Sequence, residues 1–239
     1  NEIGTLYPVK TIAQALGHVP LLVDAVQAFG KVELNLEETG ATYAVLSGHK
    51  IGAPQGVGLI WSQGGTPFQS LFKGGAQERG RRAGTENIAA IVGFGAAASR
   101  ISQRLASQVK VQQLREYLRL SLQKELSTVV SVLGQFDTDQ SKPKLKPTWD
   151  THGQLPNTLS LLASEKEGDL LLQQLDLAGF CLSAGSACSS GALEPSPVLL
   201  ALGLSVKEAS RGLRISMGPS STKIEVEALF QALKTILVH

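Results

Sequence analysis

Two side chains stand out for the chemistry that their surroundings allow: Lys50, at the end of Ser47-Gly48-His49-Lys50, and Cys188, within Gly185-Ser186-Ala187-Cys188-Ser189-Ser190-Gly191. A lysine attacks as an amine only without its proton, and low-dielectric surroundings with polar neighbours favour that form. Lysines so placed form Schiff bases with aldehydes. Ser47 and His49 are donors of the kind a phosphate needs. Asp24 ends a second apolar run, Leu21-Leu22-Val23, where its carboxylate could pair with a protonated pyridine nitrogen, and Gln27, one turn further, could donate to a ring hydroxyl. Read together, these residues would hold a phosphorylated aldehyde cofactor. Read singly, Lys50 is a solvated loop lysine, Asp24 a helix cap and Gln27 a surface residue.

Cys188 lies among Gly, Ala and Ser, whereas a structural cysteine is normally surrounded by bulky apolar side chains, so an exposed thiol nucleophile is expected there. Cys181, in Gly179-Phe180-Cys181-Leu182, has that apolar setting and reads as core. The two cysteines, six residues apart without nearby histidines, make a poor metal ligand set, and no metal is expected. Arg214, inside Leu213-Arg214-Ile215-Ser216, needs an anion if buried: a substrate carboxylate, or a structural ion pair. Arg79, Arg81 and Arg82 lack interleaved aromatics, so a loop reaching a phosphate or a partner subunit fits better than nucleic-acid binding. His18, His152 and His239 read as surface residues.

The elements that must position these groups follow from periodicity. Pro8 to Leu16 reads as a helix, Leu21–Val23 and Tyr43–Ser47 as strands buried on both faces, and Gln55–Trp61 as a third strand. That rhythm is of an α/β sheet, whose ligands bind beyond the carboxyl ends of the strands. Gly74 to Thr85 is an exposed functional loop, Glu86 to about Leu126 one or two long helices, and Gln135 to Asn157 a proline-bearing loop. Thereafter come a strand at Thr158–Leu162, a helix at Gly168–Leu177, strands at Phe180–Leu182 and Leu213–Ser216, and a closing helix at Lys223–Leu237. Residues 1–100 are expected to form one domain and residues 101–239 a smaller α+β domain carrying Cys188. The 239 residues, 43% hydrophobic with a formal net charge of +2, suit a globular protein without a bulk electrostatic case for nucleic acid or membrane. No signal pattern is visible, which points to a cytoplasmic location, although the start at Asn1-Glu2-Ile3-Gly4 reads as the middle of an ordered motif and leaves an organelle address open.

Val23-Asp24-Ala25-Val26-Gln27, Ser47-Gly48-His49-Lys50, Gly80-Arg81-Arg82-Ala83-Gly84-Thr85-Glu86-Asn87 and the Cys188 segment, in that order, resemble the cysteine desulfurases of the NifS/IscS type. The resemblance implies a homodimeric enzyme of pyridoxal-phosphate fold type I, here a partial large domain with a mainly parallel sheet plus a small α+β domain. It implies Lys50 as the Schiff-base lysine, Asp24 on the pyridine nitrogen, Gln27 on the phenolic oxygen, and Ser47 and His49 on the phosphate. Thr85 would reach the phosphate in the other subunit's site. Arg214 and Asn1 would hold the carboxylate of L-cysteine, and Cys188 would take the sulfur as a persulfide, leaving alanine and passing sulfur to an acceptor such as an iron-sulfur scaffold. A selenocysteine lyase, another class V aminotransferase-like enzyme, or an inactive fragment serving as a scaffold are the alternatives. Family members carry a further N-terminal segment, with a phosphate-binding threonine and a ring-stacking histidine, that this sequence does not contain.

Overall fold

The computed structural model describes residues 1–134, 153–183 and 195–238. The chain divides into two compact units, one of residues Pro8–Ala106 and the other of Asn1–Tyr7 with Ser107–His239.

In the first unit, α1 (Val9–Leu16) starts after Pro8 and ends at Gly17, whose φ of 61° only glycine adopts readily. Strands β1 (Leu22–Asp24), β2 (Tyr43–Ser47) and β3 (Gly58–Ser62) form one sheet in that order. β1 runs parallel to β2, with Asp24 opposite Val45, whereas β3 runs antiparallel to β2, with Gly58 opposite Ser47. The sheet is therefore mixed. Its third strand reverses because only residues 48–57 separate it from β2, and a parallel return needs a crossover of a dozen or more residues. β1 also departs from the expected burial on both faces: Leu22 is 63% exposed, because β1 pairs only with β2 and is the edge strand of the described sheet. Helix α2 (Ile88–Ala98) is capped by Asn87, whose side chain accepts from Ala90 N at 3.2 Å. Helix α3 (Ile101–Glu125) begins after a break at Ser99-Arg100, so the long periodic stretch is two helices.

In the second unit, β4 (Val130–Leu133), β5 (Thr158–Ala163) and β6 (Gly212–Ser216) form an antiparallel sheet in that order. It shares a core with α3, α4 (Gly168–Leu177) and α7 (Lys223–Val238), centred on Leu118, Leu159, Leu175, Leu213 and Leu233. Gly168, which opens α4, permits that packing: a Cβ there would lie 2.6 Å from the carbonyl oxygen of Gly212. Short helices α5 (Pro197–Ala201) and α6 (Val206–Ala209) follow caps at Ser196 and Ser205. The first residues are stitched in by Leu155 N donating to Gly4 O at 2.7 Å. Phe180–Leu182 is not a ladder strand, and the expectation that Cys181 is core is corrected: Cys181 is exposed. Alternation explains it, since Phe180 and Leu182 both pack on the core and point Cys181 outward.

Candidate active site

The parallel pairing of β1 and β2 brings two carboxyl ends together. Asp24 closes β1 opposite Val45, and Ser47 closes β2 two residues further along. The chain then tightens at once into a 3₁₀ turn, Gly48–Ile51, that carries His49 and Lys50. The turn is pinned at both ends: Gly48 N donates to Val57 O, and Ala53 N donates to Gly48 O, each at 3.0 Å. The fit at Gly48 is tight: a Cβ would lie 3.0 Å from Val57 Cγ1, 3.1 Å from Ala53 Cβ and 3.2 Å from Val57 O. Gly52, at a φ of 87°, ends the turn.

Within this frame Ser47 Oγ and His49 Nδ1 share a hydrogen bond of 2.7 Å, so the hydroxyl and the imidazole are held as a pair. Lys50 is half-buried and His49 exposed. The Asp24 carboxylate is exposed, and its Oδ1 accepts from Val26 N at 2.9 Å, which fixes its rotamer. Gln27 accepts at Oε1 from the ammonium of buried Lys31, which fixes which way its amide points. Asp24, Ser47, His49 and Lys50 are thus gathered at one end of the parallel pair, with Gln27 one turn from Asp24.

Thr85 lies elsewhere, exposed on the loop before α2, with Gly84 N donating to Gln77 Oε1 at 3.2 Å. The same loop holds two non-glycine residues at positive φ, Glu78 (52°) and Arg79 (58°), a strained pair that nothing in the sequence announces. Arg82 stacks over Phe72, 5.0 Å from the ring centroid. In the other unit, Arg214 on β6 donates Nη1 to Asn1 O and Nη2 to Ser183 Oγ, both at 3.3 Å, and exchanges backbone hydrogen bonds with Ser183. The two residues expected on a substrate carboxylate, Arg214 and Asn1, are therefore neighbours. Cys188 lies outside the described residues, as do His152 and His239.

Sequence reasoning missed two groups. Arg104 on α3 donates to the backbone of Lys50 and Ile51, and Ser196 donates to the carboxylate of Glu2, with both Ser196 and Glu2 buried. No motif marks either, since their partners lie far away in sequence.

The architecture defines an α/β protein whose polar, nucleophile-bearing groups collect at the carboxyl ends of parallel strands. More narrowly, the chain belongs to the aminotransferase class-V family, which matches residues 1–229. This is a family of pyridoxal-phosphate enzymes of fold type I. Among curated relatives, the chain is 36% identical over its whole length to the cysteine desulfurase NifS of Azotobacter vinelandii and 38% identical, over 99% of its length, to a cysteine desulfurase of Cereibacter sphaeroides. Among solved structures, a NifS-like protein of Rickettsia africae matches all of the chain with a TM-score of 0.84 at 28% identity. The chain spans 56% and 57% of the two curated relatives and 59% of the solved chain. No described helix is long and apolar enough to cross a membrane.

Proposed function

We propose that this chain is part of a pyridoxal-phosphate-dependent cysteine desulfurase that converts L-cysteine to L-alanine and places a persulfide on Cys188. The observation that carries this reading is the gathering of Asp24, Ser47, His49 and Lys50 at one pair of strand ends. The donor set fits the cofactor: a paired hydroxyl and imidazole for its phosphate, a carboxylate for its protonated ring nitrogen, an amide at Gln27 for its phenolic oxygen, and an amine at Lys50 for its aldehyde. Bound pyridoxal phosphate supplies an electron sink for bonds at the substrate's α carbon.

The residues of the chain do the rest. Arg214, with Asn1 beside it, holds the substrate carboxylate by a charge-assisted pair. The Cys188 thiolate attacks the substrate sulfur: an S–S bond forms, the C–S bond breaks, and the carbon gains a proton as alanine leaves. The enzyme thiol becomes a persulfide, and the sulfur passes to an acceptor such as an iron-sulfur scaffold. Thr85, exposed on its loop, reaches the phosphate in the site of a second copy, so the working form is a homodimer.

The test is turnover of L-cysteine by the full-length protein reconstituted with pyridoxal phosphate and supplied with a thiol reductant to release the persulfide sulfur, measured as alanine and sulfide together. Parent activity with loss in Cys188→Ala and in Lys50→Ala supports the assignment. Absence of alanine from the parent sinks it, and Cys188→Ala that still releases alanine from selenocysteine reassigns it as a selenocysteine lyase.

A further inference from the structure

We propose that Arg104 is a positioning residue for Lys50; this rests on the reading of Lys50 as the cofactor's attachment point. The 3₁₀ turn Gly48–Ile51 satisfies its own first carbonyls: Ala53 N donates to Gly48 O at 3.0 Å and Gly52 N to His49 O at 3.3 Å. The next two carbonyls, of Lys50 and Ile51, fall at the end of the turn, where a helix leaves its acceptors without intrahelical donors. Arg104, in the first turn of α3, serves both with one guanidinium: Nη2 donates to Lys50 O at 3.3 Å and Nη1 to Ile51 O at 3.4 Å. A planar fork can meet two adjacent carbonyls at once, which a lysine ammonium cannot do in the same geometry.

A third segment closes the arrangement. Gly30 has a φ of 73°, and a Cβ built there would lie 2.9 Å from Ile51 Cγ2 and 3.1 Å from both Arg104 Cδ and Ile101 Cδ1. The missing side chain lets the arginine stem and Ile51 approach under the turn. Both of these guanidinium bonds end on backbone carbonyls of the turn, so the influence of Arg104 on chemistry runs through the Lys50 backbone. At 3.3 and 3.4 Å both bonds are longer than is usual for N–H···O, so their worth is in direction more than in energy. A misplacement of about 1 Å far from the reacting atoms can cost up to about 10²-fold in rate. Part of that is absorbed by the flexible lysine side chain, so a loss of about tenfold is expected.

The experiment uses the full-length protein loaded with pyridoxal phosphate, and two variants. Arg104→Met keeps an aliphatic stem against Gly30 and removes both donors, and Arg104→Lys keeps the charge and one donor nitrogen. Three quantities are read: the fraction of cofactor trapped on Lys50 by borohydride and located by mass spectrometry, the pH midpoint of the bound cofactor's absorbance, and kcat and KM for L-cysteine separately. Arg104→Met is expected to bind cofactor, shift the pH midpoint and lose about tenfold in kcat with KM within about twofold, and Arg104→Lys to recover part of the loss. The inference is overturned if Arg104→Met matches the parent in trapping, midpoint and kcat. It is equally overturned if the variants only unfold more easily, with trapping and midpoint unchanged in the folded fraction. If borohydride traps nothing on Lys50 in the parent, the failure belongs to the assignment of Lys50, and the inference falls with it.

Discussion

Gly93 and Gly95 sit two residues apart on α2 and should respond differently to the same substitution. A Cβ at Gly95 meets nothing within 4 Å, whereas one at Gly93 would lie 2.7 Å from Cδ and 2.9 Å from Cγ of Pro54. Inside a helix, replacing glycine by alanine stabilises by about 1 kcal/mol, mostly through the unfolded chain. Gly95→Ala should show that gain in full. At Gly93 the same gain meets an overpacking cost of about 1–3 kcal/mol, because the pyrrolidine ring cannot rotate aside. The net for Gly93→Ala therefore runs from neutral to a loss of about 2 kcal/mol, and the two variants differ by about 1–3 kcal/mol. Pro54 follows Ala53, which closes the Lys50 turn, so the strain lands next to the candidate site. Urea unfolding of the two full-length variants, compared at equal m-values, measures the difference. Equal stabilisation by both substitutions would refute the reasoning, since it would mean that α2 and Pro54 are not in the contact that the glycine permits.

Other outcomes follow from single contacts. Ser196→Ala should cost about 1–3 kcal/mol in denaturant unfolding, because it strips the donor from the buried Glu2 carboxylate and the cap from Leu199 N, at 3.1 Å, while Ser196→Thr keeps most of that stability. Leu118→Ala, at a fully buried position of α3, should cost about 2–5 kcal/mol by the same measurement. Acid sensitivity is also written into two helix starts. The Glu208 carboxyl is held below its ordinary range by the Ser205 side chain and then the Ser205 backbone N–H, and the Glu225 carboxyl by the Thr222 backbone N–H and then its hydroxyl. Both folded values lie below the unfolded one, so their stabilisation is complete above the usual carboxylate range near about 4.3 and fades as pH falls through the depressed values. Thermal midpoints followed from pH 7 downward should show a shallower acid decline in Glu208→Gln/Glu225→Gln than in the parent.

What the sequence made legible was local. The helix at Gly168–Leu177 and the strand ending at Ser47 have the bounds that periodicity and flanking residues announce. The gathering at Asp24 and Ser47–Lys50 was readable because both groups directly follow apolar runs, and parallel neighbours bring such ends together. Phase errors came where one choice decides a whole segment. Cys181 sits in an apolar run, but the alternation that buries Phe180 and Leu182 turns it outward. Val130–Leu133 escaped notice because four residues between a long helix and a polar stretch of sequence carry little period of their own. The mixed direction of the first sheet was legible in principle, since the ten residues between β2 and β3 are too few for a crossover.

The contacts that tie distant segments together belong to a different class. Arg104 and Lys50 are 54 residues apart, and Glu2 and Ser196 are 194 apart. Pairing at such separations is decided by the packed fold, and a single sequence offers no period or motif that encodes it. The division has a physical consequence for how this site can change. The atoms proposed to meet cofactor or substrate come from short motifs, whose loss would remove the chemistry. On the proposal made for Arg104, the exactness with which those atoms are presented would depend on residues such as Gly30, Gly93 and Arg104, none of which bears reactive chemistry. Substitution at those positions should leave the motifs intact and alter rates, so two chains with identical Ser-Gly-His-Lys turns can differ in turnover for reasons that lie entirely behind the turn.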